Sequence, residues 1–553
     1  MAIAPLTAYC RQPVQSARTH AWVQHIPLLL PIVVGYFCLA FFRIGYQSLW
    51  LDEVLSVIAA HPEQAFYDVG IWRLGSRPLY FSLLHGWAQL GASEVALRSF
   101  SAVIGGVGVV LIYLLGLRLF NGRVAAIVTV LFATSPFLIW YSQEVRYITL
   151  MITSSLLAMY AYHRALSIAR FEGWLLYGCS LVIAIGAFVT NILLVFIHGL
   201  YLVFSGSRKT LRALIVCQLL VFLLFVWWAN EWQHRELAGY WNRLFNELTL
   251  ESEELNTVPG GERFSRGGKR EFDLGAIPYT FFALSAGFSL GPSVPELQMD
   301  RSLDALGRHA PAILILTLLF GGLFLLGLTG LRHRRDTAIL LGLWLAIPIA
   351  AACTISALTN AAFNVRYVAM VLPAYLFILT AGILRFPSRT VQNTLLGCVL
   401  AVNGFSLSNY YFDPHYARAD ARSAAEYLDE VAGPRDIILV VGSPTALGFY
   451  YKGSPPITPL SASARDPSSV LHHLRQLRDN HDHLWLVETR SWEKDPAGNA
   501  RKAADRLYSV FQHKSFPGVE IYSYDMRCLP ADDRPAKDGA NSCAKVAANS
   551  STN

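Results

Sequence analysis

Charge is scarce in this chain. Only 15% of its 553 residues are Asp, Glu, Lys or Arg, while 54% are hydrophobic, a balance foreign to ordinary soluble domains. No Gly-x-Gly-x-x-Gly and no Gly-Lys-Ser occurs, so the usual nucleotide-binding loops are missing. The net charge of +7 is modest and falls in short connections, which excludes a nucleic-acid surface and speaks to membrane topology. No internal repeat is visible, which weighs against a transporter built from two related halves. Among the eight cysteines, Cys38, Cys179, Cys217, Cys353 and Cys398 lie in apolar runs as small hydrophobes. Cys10 lies in the N-terminal tail; Cys528 and Cys543 lie in a polar tail, where a disulfide requires an oxidising compartment.

What the chain has in abundance is long apolar runs, each sufficient to cross ~30 Å of hydrocarbon. They fall near 26–43, 96–117, 124–140, 147–165, 172–189, 192–206, 211–229, 309–331, 337–356, 367–384 and 391–409. The stretch 172–206 is almost unbroken and is divided at Thr190-Asn191. That division keeps Arg11, Arg18, Arg118, Arg123, Arg164, Arg170, Arg208, Lys209, Arg212, Arg332, Arg334, Arg335, Arg385 and Arg389 on one side, which the positive-inside rule makes cytoplasmic. The expectation is a polytopic α-helical membrane protein with about eleven transmembrane helices and an uncleaved first span. Residues 1–410 then form the membrane domain.

The large segments all fall on the outer face: 44–95, 230–308 and the tail from Tyr411. The first carries Phe66, Tyr67, Ile71, Trp72, Leu79, Tyr80, Phe81, Leu83, Leu84 and Trp87 among polar residues, which suits amphipathic helices in the interface. Glu251–Lys269 is rich in Glu, Gly, Arg and Ser and is expected to be mobile. Residues 411–530 read as a soluble α/β domain. A helix is expected over 419–431, a buried strand at 436–441 ending in Gly442-Ser443-Pro444, a helix at 467–478 and a second strand at 483–487. Their alternation implies a partly parallel sheet. Residues 531–553 have the composition of a disordered tail.

The most informative residues are Asp52 and Glu53, in Leu49-Trp50-Leu51-Asp52-Glu53-Val54-Leu55. Two carboxylates held where the first span leaves the bilayer are costly unless they serve a purpose. Other outer-face elements accompany them. Arg77 precedes a helix that Pro78 can start, with Phe81, Leu84 and His85 on one face. Ser142-Gln143-Glu144-Val145-Arg146-Tyr147 lies at the outer junction of the third and fourth spans, Asn364-Val365-Arg366-Tyr367 opens the tenth, and Phe288-Ser289-Leu290-Gly291-Pro292-Ser293 turns the long loop. Arginine forks bind phosphate and carboxylates deprotonate hydroxyls, so the convergence reads as a site for both.

These motifs resemble those of the lipid-phosphate-sugar-dependent glycosyltransferases of the GT-C fold, in the group of protein O-mannosyltransferases (family 39) and the aminoarabinose transferase. The matching elements are the acidic pair Asp52-Glu53, Pro78-Leu79-Tyr80 with His85, Ser142–Tyr147, Arg366-Tyr367 and the Phe288–Ser293 run. The usual Pro-Pro before Leu-Tyr is Arg77-Pro78 here. The resemblance covers about residues 20–410 and implies inverting transfer from a polyprenyl-phosphate sugar to an acceptor hydroxyl. It implies a bacterial cytoplasmic membrane location, with site and C-terminal domain on the periplasmic side. Asp52, Glu53 and Glu144 would be catalytic, with Asp52 the base. Arg77, Tyr80, His85, Arg146, Tyr147, Arg366 and Tyr367 would bind phosphate and sugar, and Glu53 and Glu144 could hold Mg²⁺ or Mn²⁺. The acceptor is a glycan, a lipid or a protein. A ligase or polymerase using a diphosphate-linked donor, and a lipid-sugar transporter, are the competing readings.

Overall fold

The computed structural model describes residues 24–60, 77–168, 170–205, 210–232, 275–293, 296, 307–359, 363–460, 466–478 and 480–527. Cys10, Cys528, Cys543, Phe66, Tyr67, Ile71, Trp72, Arg208, Lys209, Glu251–Lys269 and the expected tail 531–553 lie outside them.

All eleven apolar segments are helical. α1 (Ile26–Phe41) precedes two short helices, α2 (Leu51–Ala59) and α3 (Pro78–Ala88). In α2 the acids Asp52 and Glu53 occupy the first turn, where the helix dipole favours negative charge. In α3, Pro78 sits at the first turn, where its missing N–H costs nothing. α3 buries Tyr80, Phe81, Leu84 and His85 against the bundle. α4 (Glu94–Leu119) starts from Ser93, whose hydroxyl accepts from Ala96 N–H.

The span expected over 124–140 is instead two helices, α5 (Gly122–Ala133) and α6 (Pro136–Ser142), bent by 54°. The cause is local: Pro136 cannot continue α5, but it can begin a helix capped by Ser135. α7 (Ile148–Ile168) buries most of its side chains between α4 and α8 (Phe171–Ala187).

The division at Thr190-Asn191 is real. Phe188 is extended, Val189–Ile192 form a 3₁₀ turn, and α9 (Leu193–Ser205) follows. The Asn191 amide donates to the carbonyls of Ala184, at 2.9 Å, and Met151, at 3.3 Å. It thereby ties the break to the end of α8 and to the side of α7.

α10 (Leu211–Trp232) comes next. Within the outer segment 230–308, α11 (Ala276–Ala286) is helical and rests on α6, because Ala283, Leu284 and Ala286 are apolar and buried. α12 (Ala310–Leu331), α13 (Arg335–Thr359), α14 (Val365–Ile383) and α15 (Arg389–Phe412) complete the bundle. α12 and α14 meet through glycines: a Cβ on Gly327 would strike Ile378 O, and one on Gly382 would strike Leu323 O. α15 runs two residues past the expected domain boundary.

By length and apolarity four of these helices can cross a membrane, or five if α5 and α6 form one bent span. Length and composition of the described helices therefore do not fix a count of eleven. α14 is central, with 83% of its apolar window buried, and α12 is peripheral, with 22%. The bundle has two unlike ends. Arg118 at the end of α4 reaches Ser167 Oγ at 3.4 Å, and Arg334 donates to Leu119 O at 3.0 Å, so the connectors after α4, α7 and α12 gather there. Arg98, at the start of α4, belongs to the other end, ~30 Å away at 1.5 Å per residue.

The C-terminal domain is a five-stranded sheet of order β2-β1-β3-β5-β4: β1 (Ile437–Gly442), β2 (Ile457–Pro459), β3 (His483–Thr489), β4 (Ser509–Phe516) and β5 (Val519–Asp525). β1 pairs in parallel with β2 and β3, whereas β5 is antiparallel to β3 and β4. One face is covered by α16 (Ala421–Val431) and α17 (Thr445–Tyr450), the other by α18 (Pro467–Leu477) and α19 (Asn499–Leu507). The two expected strands and both expected helices are present. The β4–β5 hairpin was not legible, since exposed β4 has no apolar face to betray it.

Candidate active site

α2 brings Asp52 to the end of the bundle opposite the basic connectors. Arg366, at the first turn of α14, places Nη1 2.5 Å from Asp52 Oδ2. Arg146, in the turn between α6 and α7, places Nη2 3.3 Å from the same oxygen and donates through Nη1 to Asp52 O at 3.0 Å. Burial pushes the Asp52 carboxyl up, but Arg146, Arg366 and Arg490 outweigh it and hold it below its ordinary value.

Arg77 joins this cluster. Its guanidinium lies over the Tyr147 ring at 4.4 Å and near the Phe188 ring at 5.8 Å. Burial lowers its affinity for a proton; Tyr147 opposes that, and the positive charges of Arg146 and Arg366 add to it. Arg77 Nε, Arg146 Nε and Arg366 Nε are all buried without a hydrogen-bond partner among the described residues. Three like charges with unused donors beside one carboxylate form a cationic cluster whose repulsion an anion would relieve. Aromatic rings pack beside it: Tyr147 on Phe188, with centroids 4.4 Å apart, and Phe188 stacked on Tyr367 at 6.3 Å. Tyr80 lies behind, its ring 6.3 Å from that of Tyr147, and His85 is buried further along α3.

Glu53 has a different environment from its neighbour. It is fully buried, and Arg98 grips it bidentately, Nε to Oε1 at 2.9 Å and Nη2 to Oε2 at 2.8 Å. Val145 N–H donates to Oε1 at 2.9 Å, and Arg418 Nη1 approaches Oε2 at 3.5 Å. Arg98 meanwhile donates to the carbonyls of Ile44, Gln47 and Ser48. Glu53 therefore anchors α2 to α4 and to the chain leading into it. Glu144 is also buried, accepting from Trp140 Nε1 at 2.8 Å and facing Arg418 Nη2 at 3.1 Å. Its burial raises the carboxyl to about 7.

With guanidinium groups holding both acids, Glu53 and Glu144 do not fit as cation ligands. No group of three or more His, Cys, Asp or Glu among the described residues is placed to hold a metal.

The fold thus brings Asp52, Arg77, Arg146, Tyr147, Arg366 and Tyr367 together, with Tyr80 behind, and sets Glu53 and Glu144 to one side as ion-paired supports. Sequence reasoning missed Arg98, Phe188 and Arg418. Arg98 carried a signal, because an arginine four residues into an apolar helix needs a partner if it is buried. Phe188 and Arg418 carried none: one looks like any apolar residue, the other like any polar one after a helix.

Comparison with known structures agrees with this architecture. ArnT from Cupriavidus metallidurans, in its apo state, superposes with a TM-score of 0.56 over 91% of this chain and 98% of that one, at 12% identity. The chain has the GT-C fold. The apo oligosaccharyltransferase of Archaeoglobus fulgidus is similar with a TM-score of 0.50, over 94% of this GT-C chain and 76% of that one, at 11% identity. Residues 76–230 match the family described as dolichyl-phosphate-mannose-protein mannosyltransferase. That stretch contains Arg77, Tyr80, His85, Glu144, Arg146, Tyr147 and Phe188. An uncharacterised protein of Aquifex aeolicus is 25% identical over 280 residues, 48% of this chain; the match spans 51% of that relative's length. The GT-C fold expected from the motifs is borne out.

Proposed function

We propose that this GT-C protein transfers a sugar from a polyprenyl-phosphate donor to an acceptor hydroxyl, with inversion, at the outer face of a bacterial cytoplasmic membrane. One observation carries the reading: among the described residues, the Asp52 carboxylate is ion-paired to Arg146 and Arg366, and these two and the neighbouring Arg77 each keep a buried Nε without a hydrogen-bond partner. The matched family is described by a dolichyl-phosphate-linked sugar, a donor of the same class. A membrane-borne donor also suits a compartment where nucleotide sugars are not supplied.

Paired with Arg366 and Arg146, Asp52 is a poor base, because their guanidiniums stabilise its charge. A donor phosphate competes for those guanidiniums, and as they turn to it the carboxylate is released toward the acceptor hydroxyl. The hydroxyl oxygen then attacks the anomeric carbon, its proton passes to Asp52, and the C1–O bond breaks with its electron pair on the phosphate. Arg366, Arg146 and Arg77 stabilise the charge that develops there. Glu53 and Glu144 position the site through Arg98 and Arg418 and do not touch the reacting atoms.

The test is release of polyprenyl phosphate from a panel of polyprenyl-phosphate sugars by purified protein. Wild type releases it with transfer of the sugar, while Asp52→Asn folds normally and does not. Movement of intact donor between liposome leaflets without transfer would overturn the reading in favour of a transporter.

A further inference from the structure

The C-terminal domain presents the most informative edge of its sheet to the site. β1 lies between β2 and β3, all parallel, and the chain leaves β1 first to one side and then to the other. The carboxyl ends of β1 and β3 are thus a topological switch point, where open α/β sheets characteristically bind ligands. Two backbone features mark the place. Gly442 ends β1 at φ +110°, and a Cβ there would overlap Thr489 O. Arg490 follows β3 in the left-handed region, at φ 52° and ψ 36°, a conformation costly for a residue with a side chain.

This edge is docked onto the helix that carries Asp52. α17, which follows β1, packs against α2. Tyr450, its last residue, accepts from Leu49 N–H at 2.8 Å and donates to Glu94 Oε1 at 2.7 Å. Arg418 and Arg422, leading into the domain, bind Glu144 and Glu94. In this arrangement Arg490 acts electrostatically on Asp52, together with Arg146 and Arg366. Once Glu53 is assigned to Arg98 and Glu144 to Arg418, the carboxylate left to this cluster is Asp52, which pairs with Arg146 and Arg366, feels the charge of Arg490, and has Arg77 beside its two partners. A phosphodiester donor brings one negative charge. The monoester left behind carries close to two at neutral pH.

We propose that Arg490 completes the phosphate pocket from the C-terminal domain, and that this fourth guanidinium holds the polyprenyl phosphate monoester released when the sugar departs. The inference rests on the donor reading above. It makes the soluble domain part of the transfer site: sugar transfer converts a monoanionic phosphodiester into a dianionic monoester, and the surplus charge matches the product. Left-handed strain at Arg490 is then retained because it aims the side chain.

Binding of farnesyl phosphate, its methyl diester, farnesol and inorganic phosphate to the full-length protein in detergent tests this. Wild type should prefer farnesyl phosphate over all three others. Arg490→Gly removes the guanidinium and the left-handed penalty together. It should bind farnesyl phosphate about tenfold more weakly while its melting temperature holds or rises. The diester should be affected less, and Arg490→Lys should recover part of the loss. Arg435→Gln, at the opposite end of β1, should change nothing. Arg490→Gly binding farnesyl phosphate as wild type does would overturn the proposal and leave the donor reading standing. Wild type that fails to distinguish farnesyl phosphate from farnesol would sink both. Inorganic phosphate binding equally well would make the pocket a free-anion site and overturn the lipid assignment.

Discussion

Arg366 and Asp52 are 314 positions apart in the chain, yet one guanidinium nitrogen lies 2.5 Å from one carboxylate oxygen. The pair is partly open, with about a fifth of each side chain exposed. Removing Arg366 leaves Asp52 with Arg146 and deprives a departing phosphate of its most accessible donor. Arg366→Ala should raise the barrier to transfer by about 2–4 kcal/mol. The fall should appear in kcat measured with a saturating polyprenyl-phosphate sugar; an unchanged kcat would remove Arg366 from the reaction.

Glu53 and Arg98 should behave as structure. Breaking a buried, bidentate pair from one side strands a charge, which costs on the order of 3–5 kcal/mol. Arg98→Met should therefore lower the melting temperature sharply. The double variant Arg98→Met with Glu53→Gln should regain part of the loss, because no charge is then left unpaired. A double variant no more stable than Arg98→Met would show that the two side chains are not coupled.

The pH dependence of stability separates the acids. Glu144 has its carboxyl raised to about 7 in the folded protein. Its contribution is fully present below the ordinary value near 4.5 and is lost as pH rises through about 7. Glu144→Gln should flatten the decline in melting temperature over that window. Asp52 is shifted downward, so its contribution is present above the ordinary carboxyl value and fades only in acid. Melting curves between pH 4 and 8 that coincide in shape for wild type and Glu144→Gln would contradict the assignment.

Tyr450 ties the soluble domain to the start of α2 through two hydrogen bonds. Tyr450→Phe removes the hydroxyl that joins Leu49 N–H to Glu94. A loss of about 1–3 kcal/mol is expected from the stranded backbone donor, read as a lower midpoint in denaturant. Transfer rate should fall as well, since α2 carries Asp52. A variant with unaltered stability and rate would show that the contact positions nothing.

Much of the architecture was legible in residue order. Apolar runs of bilayer length, Pro78 and the polar pair Thr190-Asn191 mark helix starts and breaks through backbone chemistry alone, and alternation in the tail showed the buried strands β1 and β3; the break at Pro136 was passed over because the apolar run continues across it. Asp52, Arg146 and Arg366 stood out because charges bordering apolar runs are expensive. The partition of two adjacent acids was not legible. Asp52 and Glu53 point about 100° apart on a helix, and only packing decides that one meets Arg366 and the other Arg98.

Sequence by itself determined that this chain is an α-helical bundle with a soluble α/β tail and that its charged groups collect at helix ends. Tertiary structure alone decided which charges remain unpaired. Pairing depends on distances between segments hundreds of residues apart: Arg418 reaches Glu144, and the charge of Arg490 acts on Asp52, because the tail folds back onto α2, while Phe188 meets Tyr147 because the chain breaks at the end of α8. Local propensity encodes the elements; the electrostatics of the arginine cluster belong to their assembly.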